Sequence, residues 1–230
     1  RSCRSRQFGC GTPTLFMNLA AELCIKFFIS YLLGSISGGM LMGKIKHVDL
    51  RKMGSGNAGG TNAFRTMGAQ FALAVLFIDV IKGFIAVKFV SQLNINEFIP
   101  IGEINIEILS IACGFAVVLG HVYPLYFKFK GGKGAGTMVG VLLALFPTGL
   151  ALCLLFWGVS LILTGYVGFS TIIAGIILPI STVFYFEGGL GTSFGVFTMI
   201  ISLFIIYTHR SNIRRMLNGN ENRFEKAMIF

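Results

Sequence analysis

Six apolar stretches, residues 19–41, 71–90, 106–127, 138–163, 172–186 and 194–207, dominate this chain. Each approaches or passes the roughly 20 residues a helix needs to cross the hydrocarbon core of a bilayer. Hydrocarbon offers no partner to a backbone amide or carbonyl, so segments that lie in it satisfy those groups internally, as helices. The composition agrees, with 54% hydrophobic and 12% charged residues and a mean hydropathy of +0.79. An all-α, polytopic integral membrane protein is predicted.

The net charge of +10 does not form one basic face, which argues against a nucleic-acid partner. Lysines and arginines fall into three connectors: Lys44, Lys46, Arg51, Lys52 and Arg65; then Lys128, Lys130 and Lys133; then Arg210, Arg214, Arg215, Arg223 and Lys226. The positive-inside rule puts all three in the cytoplasm. The connector at 91–107 carries Glu97, Glu103 and Glu107 without a basic residue and reads as external. Between Lys133 and His209 the chain returns to the same side, so it crosses an even number of times. Breaks at Pro147-Thr148-Gly149, at 164–170 and at Glu187-Gly188-Gly189 divide this region into four short helices. The first two are short for a span and are expected to tilt, to thin the bilayer or to re-enter. Seven helices follow, with the amino terminus outside and the carboxyl terminus cytoplasmic.

Residues 1–16, RSCRSRQFGCGTPTLF, are polar and basic, and Met17 resembles a natural start. They read as a leader or non-native extension, leaving 17–230 as a single integral domain. Cys24, Cys113 and Cys153 lie in apolar helices without metal-ligand spacing and read as small packing residues, so no metal site is expected.

Two glycine-dense stretches interrupt the apolar pattern: GSGNAGGTNAFRTMG at 54–68 and KFKGGKGAGT at 128–137. The first contains GxGxxG, but no apolar strand precedes it, and Asp79, at the ribose-binding distance, lies inside an apolar helix. A P-loop reading of the second fails because Phe127 and Gly134 stand where glycine and Ser/Thr are required. What both stretches retain is the ability to form an anion-holding nest of amides beside a cation, Arg65 or Lys133. Either stretch alone is accounted for by close packing and a topology anchor. Two on one face, followed by a third basic segment, THRSNIRR, favour phosphate binding.

These segments, with DVIKG at 79–83, LGHVYPLYFKFKGGKGAGT at 119–137 and IIYTHRSNIRRML at 205–217, resemble the motif regions of the PlsY-type acyl-phosphate:glycerol-3-phosphate acyltransferases. The likeness covers 32–217 in family order. It departs at Gly60, where alanine is usual, and at Ala135-Gly136, where Val-Ala is usual. The resemblance implies a seven-helix enzyme of the bacterial inner membrane with its active site facing the cytoplasm. It also implies transfer of a fatty acyl group from acyl phosphate to the 1-hydroxyl of glycerol 3-phosphate, which opens phospholipid synthesis. No cofactor is expected. The partners are the two substrates and membrane lipids, and the chain is expected to be a monomer.

Roles follow residue by residue. Lys133, with the amides of Gly131, Gly132 and Gly134, is expected to hold one phosphate. Arg65, with Ser55 and Asn57, holds the other or bridges both, and Gly54, Gly56, Thr61 and Asn62 belong to the same substrate-binding stretch. His209 and Asn212, three residues apart, share one face of a helix end. The resemblance makes both active-site residues, with His209 as an orienting donor. Thr171 matches a position that usually bears serine and is expected to donate a hydrogen bond. Asp79 and Lys82 form a structural ion pair or support the site. His121 is interfacial, supporting or a direct ligand.

The inventory is phosphate-binding rather than hydrolytic. No nucleophile triad is evident, and neither His47 nor His121 opens the H-x4-D motif of another glycerolipid acyltransferase class. An acyl phosphate is already activated, so transfer needs positioning and charge neutralisation, and a covalent acyl-enzyme is unnecessary. A transporter of phosphorylated solutes is the competing class. Transporters place their sites near the bilayer midplane between repeated halves, whereas here the polar clusters share one face and no repeat is visible.

Overall fold

A computed structural model describes residues 12–95, 105–224 and 228. The described residues are helical throughout, with no strand. The helices are α1 (Thr12–Gly34), α2 (Gly38–Ile45), α3 (Gly60–Met67), α4 (Ala69–Ile85), α5 (Ile106–Val122), α6 (Ala135–Leu145), α7 (Pro147–Thr164), α8 (Val167–Tyr185), α9 (Ser193–Thr208) and α10 (Arg210–Leu217). Helix α4 runs on into a π-helical turn, Ala86–Val90. Helix α1 begins at Thr12, ahead of Met17, and residues 1–11 lie outside the described residues, as does 96–104 of the acidic connector.

Among the described residues, four helices are long and apolar enough to cross a membrane, or five if α9 and α10, bent by 51°, count as one span. The expected breaks are present. Pro147 occupies the first position of α7, where a missing N–H costs nothing. Gly165 closes the same helix in the left-handed region at φ 70°. Phe77, Phe184 and Leu203 point outward fully enough to be 67%, 74% and 69% exposed, as side chains facing hydrocarbon are.

Without a hydrophobic drive between helices inside lipid, contact depends on backbones approaching closely. The α1–α5 and α4–α6 pairs do this through glycine. A Cβ at Gly34 would overlap the Val117 carbonyl, and one at Gly140 would overlap that of Val80. Val117, Val118, Val141, Phe194 and Ile201 then close a core between α5, α6 and α9. Cys113 and Cys153 are buried free thiols, while Cys24 faces outward rather than packing inside.

Two buried ion pairs interrupt the apolar interior. Lys26 bonds Glu22 at 2.6 Å and the Ser91 carbonyl at 2.8 Å, tying α1 to the end of the π turn. Lys82 bonds Asp79 at 2.9 Å beneath the break between α1 and α2. There the ammonium donates to the Gly34 and Ile36 carbonyls, and the carboxylate accepts from the Gly38 amide. A cation thus meets the carbonyl end of α1 and an anion the amide end of α2, as the helix dipoles require.

Candidate active site

The first glycine stretch is a loop folded around one side chain. Asn62, only 1% exposed, donates from Nδ2 toward the carbonyls of Leu50, Met53 and Asn57 and accepts the Ser55 amide at Oδ1. Gly54 and Gly56 turn the chain at φ 53° and 73°, which side chains adopt at a cost. Asn62 is therefore a staple inside the loop, its amide committed to backbone partners. The Ser55 hydroxyl has no partner among the described residues. At Gly60 a methyl would meet the Ala72 carbonyl at 3.8 Å, ordinary contact, so the departure from alanine leaves the packing intact.

The second stretch is held differently from expectation. The amides of Gly131 and Gly132 donate to the carbonyls of Val122 and His121, at 3.1 and 3.2 Å, so they are already engaged at the end of α5. Glycine is required here by proximity: a Cβ at 131 would overlap the His121 carbonyl, and one at 132 the His121 ring. The free donors lie further on, from Gly134 into the first turn of α6, where no preceding carbonyl is in place to receive them.

Lys133 projects between the two stretches. Its ammonium bonds Asn212 Oδ1, and its carbonyl accepts the Thr208 hydroxyl at 3.0 Å. The Asn212 amide donates to Glu221 Oε1 at 3.0 Å, and Arg215 bonds the same carboxylate at 2.7 Å. Burial, with help from Arg215, Arg210 and Arg65, pushes the Lys133 ammonium down to about 8 against the opposing pull of Glu221. Burial also lowers Arg65, whose guanidinium donates to the Asn222 carbonyl at 3.0 Å.

His209, 4% exposed, sits at the bend between α9 and α10. Its Nδ1 lies 2.8 Å from the Ile205 carbonyl, and a carbonyl can only accept, so Nδ1 carries the hydrogen. The neutral ring then offers Nε2 as an acceptor, which replaces the expected donor. Thr171 likewise turns inward, donating to Val167 at 2.9 Å and accepting the Trp157 indole at 3.3 Å.

One cavity of about 770 Å³ gathers these groups. Ser55, Asn57, Thr61, Asn62, Arg65, Lys133, Gly134, Thr171, His209 and Asn212 line it; Gly54, Gly56, Gly131 and Gly132 do not. Arg215 and Glu221 also line it; Arg215 belongs to the third basic segment, and Glu221 was not singled out from sequence. The available signal was a carboxylate, Glu221, set among Arg214, Arg215 and Arg223. The tail that carries it is pinned by the Phe224 amide on the Gly165 carbonyl at 2.8 Å and by the Phe224 ring on Phe64 at 5.4 Å. Most of the remaining wall is apolar, with Leu76, Val80, Leu142, Leu150, Leu154 and Leu178 in it, beside Asp79 and His121. From Gly134 to Leu142 the helix alone rises roughly 12 Å.

The described residues form a helical bundle of an integral membrane protein, in which a cationic, amide-rich recess runs into an apolar trough. Comparison narrows the class. The chain belongs to the glycerol-3-phosphate acyltransferase family, whose sequence model matches residues 24–219. It is 38% identical to the glycerol-3-phosphate acyltransferase of Chlorobium limicola over 85% of this chain and 93% of that protein. To the Chlorobium luteolum enzyme it is 39% identical with the same coverage. Among solved structures it resembles PlsY, an integral membrane glycerol 3-phosphate acyltransferase. The glycerol 3-phosphate form matches with a TM-score of 0.74 at 37% identity, over 88% of this chain and 95% of that one. The lysophosphatidic acid form matches with a TM-score of 0.72 at 33% identity, over 87% and 94%. The protein is an acyltransferase.

Proposed function

We propose that this chain transfers a fatty acyl group from acyl phosphate to the 1-hydroxyl of sn-glycerol 3-phosphate, giving lysophosphatidic acid and inorganic phosphate. The observation that carries the reading is one cavity in which Arg65, Lys133 and Arg215 stand at the polar part while leucines from α4, α6, α7 and α8 line much of the rest. Both substrates carry a phosphate, and one carries a long chain. Glu221 offsets part of the positive charge, and Asp79 is already paired with Lys82, so the lining keeps an excess of cations for phosphate.

In this reading, Lys133 and the free amides that open α6 hold one phosphate, and Arg65 with Ser55 and Asn57 holds the other. His209 Nε2 accepts the 1-hydroxyl hydrogen and orients the oxygen at the acyl carbonyl carbon. The new ester C–O bond forms as the C–O bond to phosphate breaks. The phosphate departs with the bonding pair and takes up the hydroxyl proton, so the enzyme ends the cycle unchanged. Neutralised phosphates and fixed orientation supply the acceleration.

The same proposal places seven helices across the bacterial inner membrane: α1, α4 with its π turn, α5, α6, α7, α8 and α9. The amino terminus is then outside, and the three basic connectors and the cavity mouth face the cytoplasm. The chain acts as a monomer.

Two measurements check this function. Detergent-purified protein given acyl phosphate and glycerol 3-phosphate is expected to form lysophosphatidic acid, and to form none with acyl-CoA or acyl carrier protein. Comparable turnover with acyl-CoA would remove acyl phosphate as the donor. The pH profile tests the phosphate site. The Lys133 ammonium lies near 8 rather than 10.5, so its charged fraction falls as pH rises through 8. The second phosphate ionisation, near 6, is complete by then. Because kcat/KM follows the free enzyme, it is expected to fall above about pH 8 by up to about a decade per unit. In Lys133→Arg the fall moves above pH 10. A level wild-type profile to pH 9.5 would contradict phosphate binding by Lys133.

A further inference from the structure

Asp79 and Lys82 on α4 and His121 on α5 form a buried cluster that the transfer step does not use, with exposures of 3%, 2% and 2%. The Lys82 ammonium donates to the carbonyls of Gly34 at 3.0 Å and Ile36 at 2.9 Å and to Asp79 Oδ1 at 2.9 Å, and it lies 2.9 Å from His121 Nδ1, which accepts from it or donates to Asp79 according to the tautomer. Asp79 Oδ1 also lies 3.2 Å from His121 Nδ1 and accepts the Gly38 amide at 3.0 Å. In either tautomer the three side chains are fixed by one another and by the backbone at the helix break.

Each end of the cluster reaches one glycine stretch. On one side, the second stretch lies directly on His121: Gly132 donates to its carbonyl, and a Cβ at 132 would overlap its Nε2. On the other side, Asp79 holds the first amide of α2 through Gly38, and the next residue, Gly39, packs so closely on Ala58 that a Cβ would overlap its carbonyl. Ala58 lies inside the first stretch. Asp79 and His121 line the cavity, while Lys82 stands behind them.

We infer that the Asp79–Lys82–His121 cluster is a positioning element that sets the spacing between the two phosphate-handling stretches, with His121 fixing the height of the loop that carries Lys133. This rests on the function proposed above. A buried ion pair is weak evidence for stability, because desolvation offsets its attraction. Its placement here, at the helix break and under both stretches, gives it a different use. The Glu22–Lys26 pair provides an internal contrast: it is also buried, but its ammonium donates to the Ser91 carbonyl, away from both stretches.

The test reads KM, which does not depend on how much enzyme survives purification, together with calorimetric affinity for glycerol 3-phosphate. His121→Asn is expected to weaken both by about tenfold while kcat falls less, and Glu22→Gln with Lys26→Met is expected to lower thermal stability with KM unchanged. Gly132→Ala alone is expected to lose at least about tenfold in kcat/KM. Combined with His121→Ala, which removes the ring the methyl would strike, it is expected to be no worse than His121→Ala alone. Wild-type KM and affinity in His121→Asn would overturn the inference, as would additive losses in the double variant. If His121→Ala fails to fold, His121→Asn with Gly132→Ala reads the same coupling. Wild-type turnover with acyl phosphate separately scores the proposed reaction, and the calorimetric arm scores positioning whether or not that reaction is the right one.

Discussion

Lys133→Ala is expected to lose about ten- to hundredfold in kcat/KM for glycerol 3-phosphate, while Lys130→Ala stays within about twofold. The two lysines are three residues apart in one basic connector, but their surroundings differ. Lys130 is exposed, and no shared charge network restrains it. Lys133 is half-buried in the cavity lining, held by Asn212, which donates to Glu221, itself bonded by Arg215. A charge-assisted bond to phosphate is worth roughly 1.5 to 3 kcal/mol, and each 1.4 kcal/mol is about one decade in rate. Where the bond tightens as charge develops on the leaving phosphate, kcat falls with affinity. Lys133→Arg is expected to restore only part of the loss, since a planar fork does not reproduce a compact ammonium set against Asn212. Michaelis kinetics on well-folded samples decide the matter: equal, mild losses at 130 and 133 would reduce the connector to a topology signal.

The sequence showed where the chain changes character better than it showed which groups remain free. Pro147, Gly165 and the Glu187-Gly188-Gly189 turn are local signals with local causes, and each marks a helix boundary in the structure. The two glycine stretches and the His209 to Asn212 pair were legible for the same reason, as polar islands in an apolar chain, and all contribute to one cavity. What each donor bonds is set by residues far along the chain. The amides of Gly131 and Gly132 read as a free nest until the end of α5 is laid beside them. Thr171 reads as a donor to substrate until its own helix and Trp157 take its hydroxyl. Glu221 was hidden because its partners, Asn212 and Arg215, meet it only when the tail folds back beneath α10.

Asn62→Ala is expected to destabilise the protein by at least about 2 kcal/mol and to lower kcat/KM about a hundredfold, the activity loss following from collapse of the loop rather than from a lost contact to substrate. Asn62 is the one side chain that satisfies the interior of its stretch. Without it, the Asn57 carbonyl and the Ser55 amide are left unpaired, while the carbonyls of Leu50 and Met53 keep only the backbone amides of Met53 and Gly56. Each buried group left unpaired costs about 1–3 kcal/mol, reduced where water enters. Asn62→Asp tests the geometry more sharply. It keeps the shape but turns the donating end into an acceptor facing three carbonyls, so it is expected to be no better than alanine despite being nearly isosteric. Ser55→Ala supplies the contrast. Its hydroxyl has no partner to lose within the loop, so thermal stability is expected to stay at the wild-type value while kcat/KM falls. Thermal unfolding and steady-state kinetics on the three variants separate the roles. A stable Asn62→Ala protein with a raised KM and normal kcat would place Asn62 against the substrate, and the staple would then have to be found elsewhere in the loop.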